Sequence, residues 1–218
     1  MSKVFEKDSV PFDAGLFSED FLIITKRLTS AKQLSVKQID NNYANNFVLH
    51  HHYLKRKIYI AKNVSYGLFF EDQCIGVCMF GYPVWREYPG LVPPMQSSEV
   101  PELIRLCTLA CSPRNGESYF VGRCLKLLAN DWHKETGVKP KAVTSLCDLA
   151  YGFNGSIYKA TNFNLLRITK GRATNPGGTH GKWKENTDKQ EGKKAMYVKY
   201  LEITKEKTHE QRSYADGA

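Results

Sequence analysis

The stretch from Glu102 to Cys147 constrains the fold more than any other part of the chain. "ELIRLCTLA" (102–110) is apolar on both faces, as a central strand covered by helices on each side should be. A polar turn follows at Ser112, Pro113 and Asn115, and a helical pattern then runs to Gly137 with Phe120, Cys124, Leu127 and Leu128 inward. Gly137 and Pro140 stop that helix, and "KAVTSLC" (141–147) reads as a strand neighbouring the first. A strand, a polar turn and a helix N-terminus offer free backbone N–H groups and a positive dipole end to a phosphate.

The flanking segments alternate in the same way. Val36, Ile39, Tyr43 and Phe47 recur at helical spacing behind Ser35 as an N-cap, which predicts a helix over 35–50 ending near the histidines. "VSYGLFF" (64–70) and "CIGVCMFGY" (74–82) read as a hairpin turned at Glu71, Asp72 and Gln73. Residues 82–101 hold five of the nine prolines and form neither helix nor central strand, so a long loop lining a site is expected there. Further on come a short helix over 154–162 carrying Tyr158, and strands at 165–171 and 195–205, the last with Met196, Val198 and Tyr200 on one face. At 218 residues and 42% hydrophobic, the chain suits one core. The expectation is a single α/β (α+β) domain over 1–205, a central mixed twisted sheet flanked by helices, with 206–218 as a disordered tail.

A formal charge of +9 favours a polyanionic partner. Residues 167–199 hold nine Lys or Arg against three acids, and 175–194 is too rich in Gly, Pro and polar residues to bury itself. That loop suits a solvated surface, or an arm lying along nucleic acid through Arg172, Lys182 and Lys184, with Trp183 free to stack on a base. Lys55, Arg56 and Lys57 are further candidates for phosphate contacts. The six cysteines lie mostly inside apolar runs, and no signal peptide or long apolar span precedes them, so reduced thiols, a cytoplasmic location and no membrane are expected. Their spacing lacks the tight knuckles of a zinc site.

Several residues carry chemistry. A buried Arg105 must meet a carboxylate or point into a cavity holding an anion. Asp148 ends a strand, where open α/β sheets bind ligands, and serves as a general base or merely as a turn cap. Arg114, Asn115, Gly116 and Ser118 form a phosphate cradle or an ordinary helix start. His50, His51 and His52 diverge by about a third of a turn each on a helix end, so at most two share a metal ion, and a metal stays open. His52 and Tyr53 read more readily as pocket walls.

The order of elements resembles the acyl-CoA-dependent N-acetyltransferase (GNAT) fold, and "SIYKATNF" (156–163) resembles its last helix, where a Tyr faces the thioester sulfur. The turn after the central strand departs from that superfamily's pattern: Arg114 is followed by Asn115, Gly116, Glu117 and Ser118. The departures resemble the phage Mom proteins, a divergent branch. The matching pieces are "HHY" (51–53), "SYGLFFEDQCIGVCMFGYP" (65–83), "ELIRL" (102–106), "SPRNGES" (112–118) and "CDLAYGFNGSIYKATNF" (147–163), in order and over roughly half the chain. The resemblance implies active-site roles for Tyr53, Tyr66, Arg105, Ser118, Asp148 and Tyr158. It also implies a carbamoylmethyl group placed on N6 of adenine in DNA, which hides sites from host restriction enzymes.

Adenine N6 is a poor nucleophile because its lone pair is delocalised, so attack needs a base, for which Asp148 is the candidate. The implied donor is an acyl-CoA or a related compound. The implied partner is double-stranded DNA with the adenine flipped out, and Tyr82, Trp85 and Tyr88 are candidates to line that pocket. A second copy of the chain is a further candidate partner. Two other readings stand beside this one: a CoA-dependent acetyltransferase acting on a small amine or protein, and a DNA-binding module that has kept the fold and lost the chemistry.

Overall fold

The computed structural model describes residues 19–83, 91, 94–169 and 193–201. Helix α1 (Glu19–Arg27) precedes strand β1 (Leu34–Ile39), helix α2 (Asn41–His51) and the hairpin β2 (Asn63–Phe70) and β3 (Gln73–Gly81). Then come β4 (Glu102–Thr108), α3 (Gly116–Thr136), β5 (Ala142–Asp148), α4 (Ser156–Ala160), β6 (Asn164–Ile168) and β7 (Lys194–Tyr200). The seven strands form one mixed sheet in the order β1-β2-β3-β4-β5-β7-β6. α2 packs on β2, β3 and β4, and α3 packs on β1, β2 and β3, which buries β2 and β3 along nearly their whole length.

One expected helix is divided. Residues 34–39 are a strand paired antiparallel to β2, and the helix begins only at Asn41. Its N-cap is Asp40, whose carboxylate accepts from the amides of Asn42 and Tyr43 at 2.7 and 3.2 Å, and Ser35 lies inside β1. Leu127, expected inward, is 40% exposed on α3, while Phe120, Cys124 and Leu128 are buried as expected. Tyr200 is also exposed, beyond the buried Met196 and Val198.

The described part of the proline-rich stretch does not line a cleft. Leu91, Met95 and Val100 pack with Ala142, Met196 and Val198 as a second small core on one face of β5 and β7. Tyr82 meets Trp132 edge-on at 5.3 Å instead of opening onto a pocket. Trp85, Tyr88, Arg172, Lys182, Trp183, Lys184 and the expected tail at 206–218 lie outside the described residues. All six cysteines are buried and free. Among the described residues no helix is long and apolar enough to cross a membrane.

The centre of the sheet positions the site. β4 and β5 run parallel but pair only at Glu102–Thr144 and Leu103–Ser145. Beyond that point Ile104 bulges out of its ladder with β3, since Phe80 faces Leu103 and Met79 faces Arg105. A bulge bends and twists its strand. β4 then continues along β3, and β5 continues along β7 as far as the Asp148–Lys194 pair. The two strands part into a wedge open at their carboxyl ends.

Candidate active site

The wedge has Tyr158 at its vertex. α4 starts from Gly155, at a φ of +71°, and a Cβ there would run into the Tyr197 hydroxyl. Tyr158 stacks on the Tyr197 ring at 4.9 Å and meets Phe163 edge-on at 5.7 Å. Its hydroxyl lies 2.9 Å from Ser145 Oγ, which lies 3.0 Å from the Leu103 carbonyl. A carbonyl only accepts, so the single Ser145 proton goes to Leu103 and Tyr158 donates to Ser145. Burial holds the Tyr158 phenol well above its usual pKa.

At the mouth stands Asp148, the last residue of β5, 13% exposed and 3.7 Å from the Lys194 ammonium. Tyr53 is the neighbour common to the other groups. Burial raises its pKa first, the Asp148 charge raises it further, and the Arg105 charge opposes both. Arg105 follows the bulge on β4, and its Nη1 donates to the Ile104 carbonyl at 2.6 Å. Its Nε is buried with no acceptor among the described residues. Burial and the Arg56 charge push the Arg105 pKa down, against Tyr53 and Glu102. A guanidinium in that setting gains from an added anion or carbonyl oxygen.

His52 caps α2 and is buried, with Nδ1 accepting from the Leu54 amide at 3.1 Å. Burial, followed by the Arg105 and Arg56 charges, lowers its pKa to about 4. The imidazole is therefore neutral at pH 7, with its proton on Nε2, and it lies against the Tyr53 ring at 4.2 Å. His51 turns aside onto Phe47, and the His50 and His51 rings are 6.3 Å apart. Among the described residues no three His, Cys, Asp or Glu side chains group as metal ligands.

Tyr66, expected in the site, is elsewhere. It has no exposed surface, and its hydroxyl donates to Asp131 at 3.0 Å in the last third of α3. Packing between β2 and α3 holds it there, away from the wedge.

A second cleft of about 450 Å³ opens where β4 hands over to α3, lined by Thr108, Ser112, Arg114 to Ser118, and Ser156, Ile157 and Ala160 of α4. Asn115 takes a left-handed φ of +65° and gives α3 no side-chain cap. The Glu117 and Ser118 amides have no acceptor among the described residues, and Ser118 Oγ donates to the Asn115 carbonyl at 3.0 Å. A Cβ on Gly116 would run into Ser112 Oγ, itself buried and without a partner. Glu117, which sequence reasoning passed over, accepts from the Thr108 hydroxyl at 3.0 Å and brings a negative charge into this cleft.

Outside the mouth, Lys55, Arg56 and Lys57 are exposed just after His52 and Tyr53. Sequence reasoning also missed Ser145, Lys194, Tyr197, Tyr151 and Phe153. Each is an ordinary residue of a strand or loop until the fold brings it to the wedge.

A seven-stranded mixed sheet with splayed central strands and a helix starting beside the splay is the fold of the GNAT acetyltransferases. Arabidopsis thaliana NAA60 with a bisubstrate analogue superposes at a TM-score of 0.52, with 11% identity over 78% of this chain and 99% of that one. The same protein with acetyl-CoA gives 0.50, with 11% identity over 77% and 98%. The ribosomal-protein-S18-alanine N-acetyltransferase of Escherichia coli gives 0.47, with 11% identity over 80% and 97%. No curated protein matches the chain in sequence. The chain belongs to the Mom protein family, whose model matches residues 33–215.

Proposed function

We propose that this protein is a transferase that places a carbamoylmethyl group on N6 of adenine in double-stranded DNA, acting on a base turned out of the helix. The observation that carries this reading is the set of groups around the wedge. Asp148 stands at its mouth, Tyr53 feels both Asp148 and Arg105, and the Tyr158–Ser145 pair closes the vertex. Membership of the Mom family supports the substrate, and the Mom resemblance supplies the group transferred.

Each residue has a defined task. Asp148 takes the N6 proton as the nitrogen–carbon bond forms, and Lys194 orients the carboxylate. Arg105 Nε, buried and unpartnered, donates to an oxygen of the group being transferred. Tyr158 keeps its proton across the neutral range and turns it from Ser145 to the departing atom. Tyr53 and the neutral His52 wall the acceptor side.

The cleft at the start of α3 fits a phosphate-bearing donor, an acyl-CoA or a relative of it. The Glu117 and Ser118 amides, the Cβ-free Gly116, the orphaned Ser112 hydroxyl and Arg114 would hold that donor, which supplies the electrophilic carbon and the leaving group. Glu117 weakens the hold on a fully charged pyrophosphate. Lys55 and Arg56, with Arg172, Lys182 and Lys184 of the basic sequence 167–199, contact DNA phosphates. In the cell, a phage protein of this kind works in the host cytoplasm and shields DNA from restriction enzymes.

Expression in a bacterium followed by mass spectrometry of digested DNA tests the reading. The wild type yields a heavier adenosine nucleoside that Asp148→Asn abolishes. An unchanged nucleoside profile from well-expressed, folded protein overturns it.

A further inference from the structure

Three aromatic side chains stand together in the open beside Asp148. Tyr53, Tyr151 and Phe153 are 43%, 40% and 47% exposed. Their ring centroids form a triangle of 4.4, 5.4 and 6.4 Å. Among the described residues no other three exposed rings touch one another. Single exposed aromatics are ordinary surface, whereas a contiguous patch marks a contact site.

The surroundings say what covers the patch. Tyr151 and Phe153 follow Asp148 by three and five residues, and Tyr53 responds to the Asp148 charge. The buried face of Tyr53 lies on His52, so the platform is backed by a fixed, neutral ring. Lys55 and Arg56 are exposed two and three residues after Tyr53, and the Arg56 charge reaches His52 behind that ring. Flat apolar faces edged by cations complement a nucleobase with its phosphates, since every base has a π-face and every linkage a negative charge. An aliphatic protein partner would need neither.

We propose that Tyr53, Tyr151 and Phe153 form a stacking platform for the extrahelical adenine, which holds its exocyclic nitrogen toward Asp148. None of the ring separations reaches the roughly 7 Å, two stacking layers, that a sandwiched base requires, so the base lies on the outer face of the triangle. The proposal rests on the DNA-modifying reading above and adds residues that the reading does not use, Tyr151 and Phe153.

The test is binding, without turnover, of the full chain to three duplexes: fully paired, with one bulged adenine, and with one bulged abasic sugar. The wild type binds the adenine bulge on the order of tenfold more tightly than the abasic bulge. Tyr151→Ala and Phe153→Ala each remove most of that preference, Tyr151→Phe keeps it because the ring remains, and unchanged thermal midpoints show that the variants fold. Equal affinity of the wild type for the adenine and abasic bulges, or a preference that survives both alanine variants, overturns the platform and assigns the rings to another partner. Modified DNA from a protein with no such preference overturns the platform alone. A ring-dependent preference with unmodified DNA upholds it and overturns the transferase reading.

Discussion

Ser145 and Tyr158 meet at 2.9 Å on the last rung that joins β4 to β5. Ser145 comes from the strand that ends in Asp148, and Tyr158 comes from the helix beyond it, so one hydrogen bond ties the phenol to the strand carrying the carboxylate. Removing the Tyr158 hydroxyl alone leaves Ser145 its bond to Leu103. Tyr158→Phe is therefore expected to hold stability within about 1 kcal/mol while adenine modification falls on the order of a hundredfold. Ser145→Ala removes that bond and leaves the buried Tyr158 hydroxyl without its acceptor, and is expected to cost about 1–3 kcal/mol in chemical denaturation.

His52 makes stability depend on pH. Its folded pKa, about 4, lies below the ordinary 6.5, so the unfolded chain binds a proton that the native one refuses. The contribution is complete above about pH 6.5, declines as pH falls through the window down to about 4, and is then level. Urea midpoints measured from pH 7 to pH 4 should fall in the wild type and flatten in His52→Gln. An equal slope in both would assign the acid limb to other groups.

Gly155 cannot accept a methyl group without displacing Tyr197, on which Tyr158 stacks. Both the positive φ and the collision oppose Gly155→Ala, and a loss of about 2 kcal/mol or more is expected in thermal or urea unfolding. Tyr197→Phe, which removes the atom in closest conflict, should restore part of it. No recovery in the double variant would place the cost in the backbone alone.

Tyr66 offers the contrast to Tyr158. Its hydroxyl serves Asp131, so Tyr66→Phe is expected to lower stability by about 1–2 kcal/mol and leave the rate of modification per folded molecule near that of the wild type. A rate that collapses while the melting temperature holds would return Tyr66 to the chemistry.

In the cleft beside α3, Glu117→Gln removes a negative charge and keeps the bond to Thr108. Coenzyme A should then bind on the order of tenfold more tightly by calorimetry, and more so at low salt. Unaltered affinity would place the donor's phosphates outside this cleft.

Much of this arrangement was legible before the fold was known. The β2–β3 hairpin and the β4–α3–β5 unit announce themselves through local patterns: continuous apolar runs, a turn, and a glycine stop. β1 was not legible, because Val36 and Ile39 match helical spacing with Tyr43 and Phe47, and only pairing with residues 65–70 makes 34–39 a strand. Asp148, Arg105 and Tyr53 stood out by chemistry, as a strand-end acid, a cation in an apolar run and an aromatic beside histidines. Ser145, Lys194 and Tyr197 carry no such mark, since their partners lie 13 to 46 residues away. Tyr66 shows the reverse case, where a motif match named a residue that the sheet turns inward.

The sheet is stitched at its middle by two rungs only, Glu102–Thr144 and Leu103–Ser145. Each side of that seam keeps its own ladder, one reaching β3 and the other ending at Asp148. Arg105 belongs to one ladder and Asp148 to the other, so a change in the angle of that seam alters the spacing of guanidinium and carboxylate while leaving both ladders whole.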